Sequence, residues 1–166
     1  MNSKQVVAGV AVVVLIVILV YPSVSTGTVS VSIRAASIGK ADHVYVKIGG
    51  IWAHPTNQAG AGWTSVVNQS ETIDLVTLQN SSKFLGKGQI ASGQYDQVRI
   101  EVTNVTWVFN KTTKNLGITS PELQAPLDFA VGTGSGASIT LTITGQEQLI
   151  ANSDYFTGTL TATLAT

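Results

Sequence analysis

The chain has 166 residues, 44% of them hydrophobic and only 11% charged, with a formal net charge of zero and no cysteine. That balance offers no excess of Lys and Arg for a phosphate-binding face, which argues against nucleic acid as a partner. The apolar content excludes intrinsic disorder, and the missing cysteines exclude disulfides, thiolate catalysis and cysteine-bound metal. The surface must then be built largely from Ser, Thr, Asn, Gln and Gly, which suits an exported protein or one that meets copies of itself.

The N-terminus sets the organisation. Val6 to Val20 reads VVAGVAVVVLIVILV, fifteen residues without charge, side-chain hydrogen bonding or proline, and no side chain between Lys4 and Arg34 is charged. As a helix, fifteen to seventeen residues span about 22–26 Å, slightly short of a hydrocarbon layer about 30 Å thick. Three readings compete: a cleaved secretory signal with Met1 to Lys4 as its basic region, an uncleaved anchor with Lys4 inside and Tyr21 at the far interface, and a pilin-like helix that packs with its copies in a filament. Small residues stand near a possible cleavage point at Ser23, Ser25 and Gly27, but no A-x-A does. Lys4 is followed by Gln5 rather than by the small residue usual at pilin processing sites. The expectation is a retained helix from Gln5 to Tyr21, with Val6, Ala8, Gly9, Val13, Ile16 and Val20 as assembly residues. Ala8, Gly9 and Ala11 would let neighbouring backbones approach closely.

Pro22 ends that helix, since it lacks the N–H a continuing helix needs. The expected division is 1–22 apolar helix, 23–27 hinge, and 28–166 a single β domain of about 140 residues, enough for a real core. From Thr28 the period becomes two: Val29, Val31, Ile33 and Ala35 alternate with Ser30, Ser32 and Arg34. A second strand runs from His43 with Val44, Val46 and Ile48 inward, and Gly49-Gly50 permits a bulge before Ile51 to His54. Pro55 to Gly62 reads as a loop, Trp63 to Val67 as a short strand, Thr72 to Leu78 as a strand leading into a helical turn, and Gly86 to Gly93 as another loop. In Tyr95 to Phe109, Val98, Ile100 and Val102 share one parity while Val105, Trp107 and Phe109 share the other, so a bulge is expected at Thr103-Asn104. Asn110 to Asn115 reads as a hairpin loop. Ala125, Leu127, Phe129 and Val131 define a strand with Pro121 and Pro126 confined to its start. Ile139 to Ile143 and Phe156 to Leu164 alternate with threonines. The expected fold is all-β, an antiparallel β-sandwich of seven or eight strands preceded by the apolar helix.

The run Gly27 to Val31, then Ala41-Asp42-His43-Val44-Tyr45-Val46-Lys47-Ile48, Ile51-Trp52-Ala53-His54, Gly62-Trp63, Thr72 to Asn80 and Ser92 to Ile100 resembles domain-of-unknown-function family 4382 in order and spacing. The likeness spans about residues 27 to 165, although Ala35-Ala36-Ser37 stands where members carry an acidic pair. The resemblance implies an extracytoplasmic β-sandwich, exported or anchored in bacteria and archaea, and no enzyme activity.

Catalytic chemistry is hard to find in the sequence. His43 and His54 share neither helical nor strand metal-ligand spacing. Glu101 and Asp128 alternate with inward residues and should face solvent, while Asp74 and Asp96 should bond the turn after and the loop before their strands. Trp52 and Trp63 could form an aromatic platform for sugar, but core packing is the favoured expectation for them, and Trp107 has core parity. No cofactor, metal or catalytic residue is expected. Sequons at Asn68, Asn80, Asn104 and Asn110 offer glycosylation sites. The favoured function is a non-enzymatic structural subunit of an extracellular archaeal filament or pilus, membrane-inserted before assembly. Its partners would be copies of itself, joined through the helix or by lending Thr28 to Ala36 as a strand. The alternative is a monomeric, anchored or secreted binding module that uses Trp52, Trp63 and the Thr56 to Gly62 loop, with surface glycans as possible ligands.

Overall fold

A computed structural model describes residues 25–57, 62–145 and 154–165. The segment with Val6, Ala8, Gly9, Val13, Ile16 and Val20 lies outside the described residues. Among the described residues no helix is long and apolar enough to cross a membrane.

The domain is all-β. Among the described residues its strands are β1 (Thr26–Ala36), β2 (His43–Pro55), β3 (Thr64–Val67), β4 (Glu71–Asp74), β5 (Lys83–Ala91), β6 (Gly93–Phe109), β7 (Thr112–Ile118), β8 (Glu122–Val131), β9 (Gly136–Gly145), β10 (Tyr155–Phe156) and β11 (Gly158–Leu164), with a 3₁₀ turn at Thr77–Gln79. A four-stranded sheet has the order β11-β9-β1-β5. A seven-stranded sheet runs β10-β7-β6-β2-β3, with β4 also paired to β2 and β8 to β6. The seventeen-residue β6 organises the large sheet. Its one edge carries β2 along most of its length, and its other edge carries β8 and then β7.

The antiparallel expectation is corrected by two parallel pairs, β1 with β9 and β10 with β7, so both sheets are mixed. The strand count is corrected as well: the expected C-terminal strand from Phe156 to Leu164 divides at Thr157 into β10 and β11, which join different sheets, and two expected loops are largely strand. Gly86 to Gly93, expected as a loop, mostly belongs to β5, because its glycines serve close packing rather than a turn. A Cβ on Gly88 would lie 1.8 Å from the Val66 carbonyl oxygen, so β5 can pass β3 only where a side chain is missing. The loop expected from Asn110 to Asn115 shrinks to two residues: Asn110 and Lys111 take φ of 46° and 65°, and β7 begins at Thr112. Such a left-handed pair matches the twist of a hairpin, and Asn is among the residues that tolerate it. Asp42 accepts the Asn110 N–H at 2.8 Å and fixes the turn.

The β2–β6 register slips at both positions where parity or paired glycines suggest a bulge. Ile48 pairs with Val102 and Lys47 with Asn104, leaving Thr103 as the extra residue, and Val102 and Val105 are both buried. Gly50 pairs with Glu101, so Gly49 is the extra residue on β2. Pro126 lies inside β8 rather than at its start. It is tolerated there because, among the described residues, β8 pairs with β6 alone, at an irregularity between Tyr95 and Gln97. β1 starts at Thr26, two residues inside the expected hinge.

Buried residues from both sheets form one core cluster, including Val29, Val31 and Ile33 of β1, Val44 and Val46 of β2, Ile100 and Val105 of β6, and Leu141 and Ile143 of β9. Val29, Val31 and Ile33 are each fully buried. At about 25 cal/mol per Å² of apolar surface, burying each such side chain contributes about 1.5–3 kcal/mol. Tyr95 closes the core near the start of β6, stacked on Phe129 at 5.1 Å and donating its hydroxyl to the Ala91 carbonyl at 2.7 Å. Burial disfavours its phenolate and raises its pKa above 10.0. The unfolded tyrosine ionises first, so this contribution to stability is intact below pH 10 and is lost as pH rises beyond it. Denaturant titrations at stepped pH should show that decline, and Tyr95→Phe should flatten it while costing about 1 kcal/mol at neutral pH.

Candidate functional site

The outer face of the large sheet carries the most developed side-chain cluster. The extra residue at Gly49 makes it possible. Before the bulge the even-numbered Val44, Val46 and Ile48 point inward, and after it Ile51 and Ala53 do, which turns Trp52 and His54 outward. On β6, Val98 and Ile100 are buried, so Arg99 also faces out. Register then lines up Ser65, Trp52, Arg99 and Gln124 across β3, β2, β6 and β8.

Arg99 lies between two indoles, 5.0 Å from the Trp52 ring and 4.6 Å from the Trp63 ring. Its Nη1 donates to Glu122 Oε2 at 3.1 Å, while Nε is buried without a partner among the described residues. The guanidinium suits this place because it is planar and can stack on both rings while forming its ion pair. Trp63 also meets the edge of His54 at 5.3 Å, and His54 Nδ1 is 2.8 Å from Asp96 Oδ1. The chain of contacts Asp96–His54–Trp63–Arg99–Trp52 ties the segment ahead of β3 to the sheet. The expectation that Trp52 and Trp63 belong to the core is therefore corrected: both are partly exposed on the outer face. Trp107 does pack against the core. Arg99→Ala should cost about 1–3 kcal/mol, the sum of two ring contacts and an ion pair. Tryptophan emission in that variant should shift to the red as the indoles gain water, and Arg99→Lys should restore little.

At the other end of β2 a second imidazole–carboxylate pair forms, with His43 Nδ1 2.7 Å from Asp74 Oδ2. Asp74 Oδ1 accepts the N–H groups of Val44 at 3.2 Å and Val76 at 3.1 Å, so this carboxylate does bond the turn after its strand. Asp96 does not serve the loop before β6 as expected but holds His54. The structure does not bring Asp74 and Asp96 together, and His43 and His54 stand at opposite ends of β2. Among the described residues, no three His, Asp or Glu side chains converge as metal ligands would. Glu101 sits over Gly49, where an added Cβ would lie 2.5 Å from its Oε2, and Asp128 is exposed. Arg99 and Glu122 were missed from the sequence. The available signal was the outward parity of Arg99 combined with a parity flip at Gly49 carried through to Trp52.

The sequons also have definite places. Asn68 follows β3, Asn80 follows the 3₁₀ turn, Asn104 lies within β6 and Asn110 sits in the β6–β7 turn; all four are exposed.

No curated protein matches the chain. A crystal structure of a proposed cell adhesion protein from Bacteroides ovatus ATCC 8483 aligns at 12% identity over 86% of this chain, with a TM-score of 0.24. The alignment spans 44% of that protein, and overlap this low defines neither a shared fold nor a shared activity. Residues 26–157, from the first residue of β1 to just past β10, match the family described as "Domain of unknown function (DUF4382)". The chain belongs to the DUF4382 family.

Proposed function

We propose that the chain is a non-enzymatic structural subunit of an extracellular surface filament, held and assembled through its N-terminal apolar segment. One observation carries the reading. The apolar run leads within a few residues into β1, an interior strand of the small sheet paired with β5 along one edge and β9 along the other. A load applied through the N-terminus then falls on a strand bonded on both sides and packed by Val29, Val31, Ile33 and Ala35. That is where an attachment point should enter a domain that must resist pulling. The same placement favours helix bundling over strand lending, since lending β1 would open the core that those four residues fill.

Within this reading the two sheets stack as a sandwich. Support comes from the shared core cluster and from contacts of β3 with β5 and of β11 with β8 at the sheet margins. The surface location rests on the apolar segment and the low charge. A second reading, an anchored or secreted binding module, is favoured by the partly exposed Trp52 and Trp63 beside Arg99, a platform on which a neutral sugar ring could stack.

Intact mass of the protein taken from its own cells tests the attachment. The mature chain should still contain Gln5 to Tyr21. A chain beginning between Ser23 and Thr28 would remove the segment by which the subunit is held, and the proposal with it.

A further inference from the structure

All four sequons satisfy the N-x-[ST] motif, two with Ser and two with Thr, but the fold treats them differently. In Asn104-Val105-Thr106 both chemical partners are already engaged. The Asn104 Nδ2 donates to Thr106 Oγ1 at 3.3 Å, and that hydroxyl donates to Asn115 Oδ1 at 2.9 Å. The tripeptide also lies inside β6, with Asn104 opposite Lys47, and Thr106 between Tyr45 on one edge and Asn115 on the other. Presenting it to another protein means breaking ladder bonds on both sides. The asparagines of the other three sit in connections. Asn68 and Ser70 lie between β3 and β4, Asn80 and Ser82 between the 3₁₀ turn and β5, and Asn110 is in the two-residue turn with Thr112 just after it. All six of these residues are exposed, and among the described residues none of their side chains has a hydrogen-bond partner. Asn80 also borders an open hollow of about 360 Å³ lined by Arg34, Gln79, Ser81 and Ser82, room enough for a first sugar.

We propose that Asn68, Asn80 and Asn110 are N-glycosylation sites used on the folded domain, and that Asn104 is a sequon the fold has closed. The inference rests on the reading of an exported chain. Transfer forms a bond from asparagine Nδ2 to the anomeric carbon of a sugar. It breaks the bond from that carbon to the diphosphate leaving group of an activated glycosyl donor, and the amide gives up one proton to a base. The hydroxyl two residues on must be free to be recognised, and only the connection sequons offer it. The consequence for a filament subunit is a surface of bulky, hydrated groups spread along one chain, which would compensate for its shortage of charge.

Glycopeptide mapping of protein taken from its own cell surface tests this. Glycan should be found at Asn68, Asn80 and Asn110 and bare asparagine at Asn104. Each of the single variants Asn68→Gln, Asn80→Gln and Asn110→Gln should lower the intact mass by one glycan, while Asn104→Gln should leave the glycan mass unchanged. Glycan on Asn104, or bare asparagine at all three connection sites, would overturn the proposal. Filaments built from unmodified chains would end this inference and leave the filament reading standing. Modified chains found only as single particles would do the reverse.

Discussion

Gly88→Ala should destabilise the domain by about 3 kcal/mol or more, enough to leave much of it unfolded if its total stability is ordinary. The added methyl would stand 1.8 Å from the Val66 carbonyl oxygen and 2.8 Å from the Val66 carbonyl carbon. No flexible side chain is available to move aside, because the obstacle is the backbone of β3. Relief requires β3 to pull away from β5, which unpacks Val66 and Val67, both buried. Gly93→Ala is the matched control. Nothing lies within 4 Å of its added Cβ, so its unfolding midpoint should stay within about 0.5 kcal/mol of the parent. Urea unfolding of the three proteins side by side checks the pair, and equal midpoints for Gly88→Ala and the parent would show that the close approach of β5 to β3 is wrong.

A larger effect is expected in the N-terminal segment. Val13→Asp should abolish surface assembly altogether, because a carboxylate in the middle of the apolar run costs about 2.5–3.5 kcal/mol on insertion scales and more where helices pack. Gly9→Leu separates two roles. Leucine is more hydrophobic than glycine, so membrane attachment should persist, while the lost small surface should disturb close helix packing. Membrane fractionation and microscopy of both variants distinguish these outcomes. Filaments of unchanged geometry from Gly9→Leu would dismiss tight packing through Ala8, Gly9 and Ala11.

What could be read from the sequence depended on how local the physics was. The all-β class, β1 and the bulge at Thr103 were legible because alternation is a property of adjacent residues, and one extra residue shows directly as a change of parity. Family membership was legible through runs such as Asp42 to Ile48. The parallel pairing of β1 with β9 was not, since more than a hundred residues separate Val31 from Ile139 and no local pattern encodes which edge a strand joins. β5 was hidden because its glycines look like a turn until a neighbouring backbone is seen to require them. The outer-face cluster was half legible. Arg99 follows simple parity, but Trp52 follows it only once the bulge at Gly49 is applied to every residue beyond it. The closing of the Asn104 sequon depends on Asn115 from the next strand, a contact the tripeptide motif does not contain.

As proposed, this domain is carried outside the cell as one unit of a polymer built on its N-terminal segment. Negative-stain electron microscopy of cell-surface material, with the protein identified in the same fraction by mass spectrometry, tests it most directly. The expected result is filaments containing the full chain from Gln5 onward and absent in the Val13→Asp strain. Full-length protein recovered only as dispersed particles from parent and variant alike would contradict it, and would leave the Trp52–Arg99–Trp63 face as the working part of the molecule.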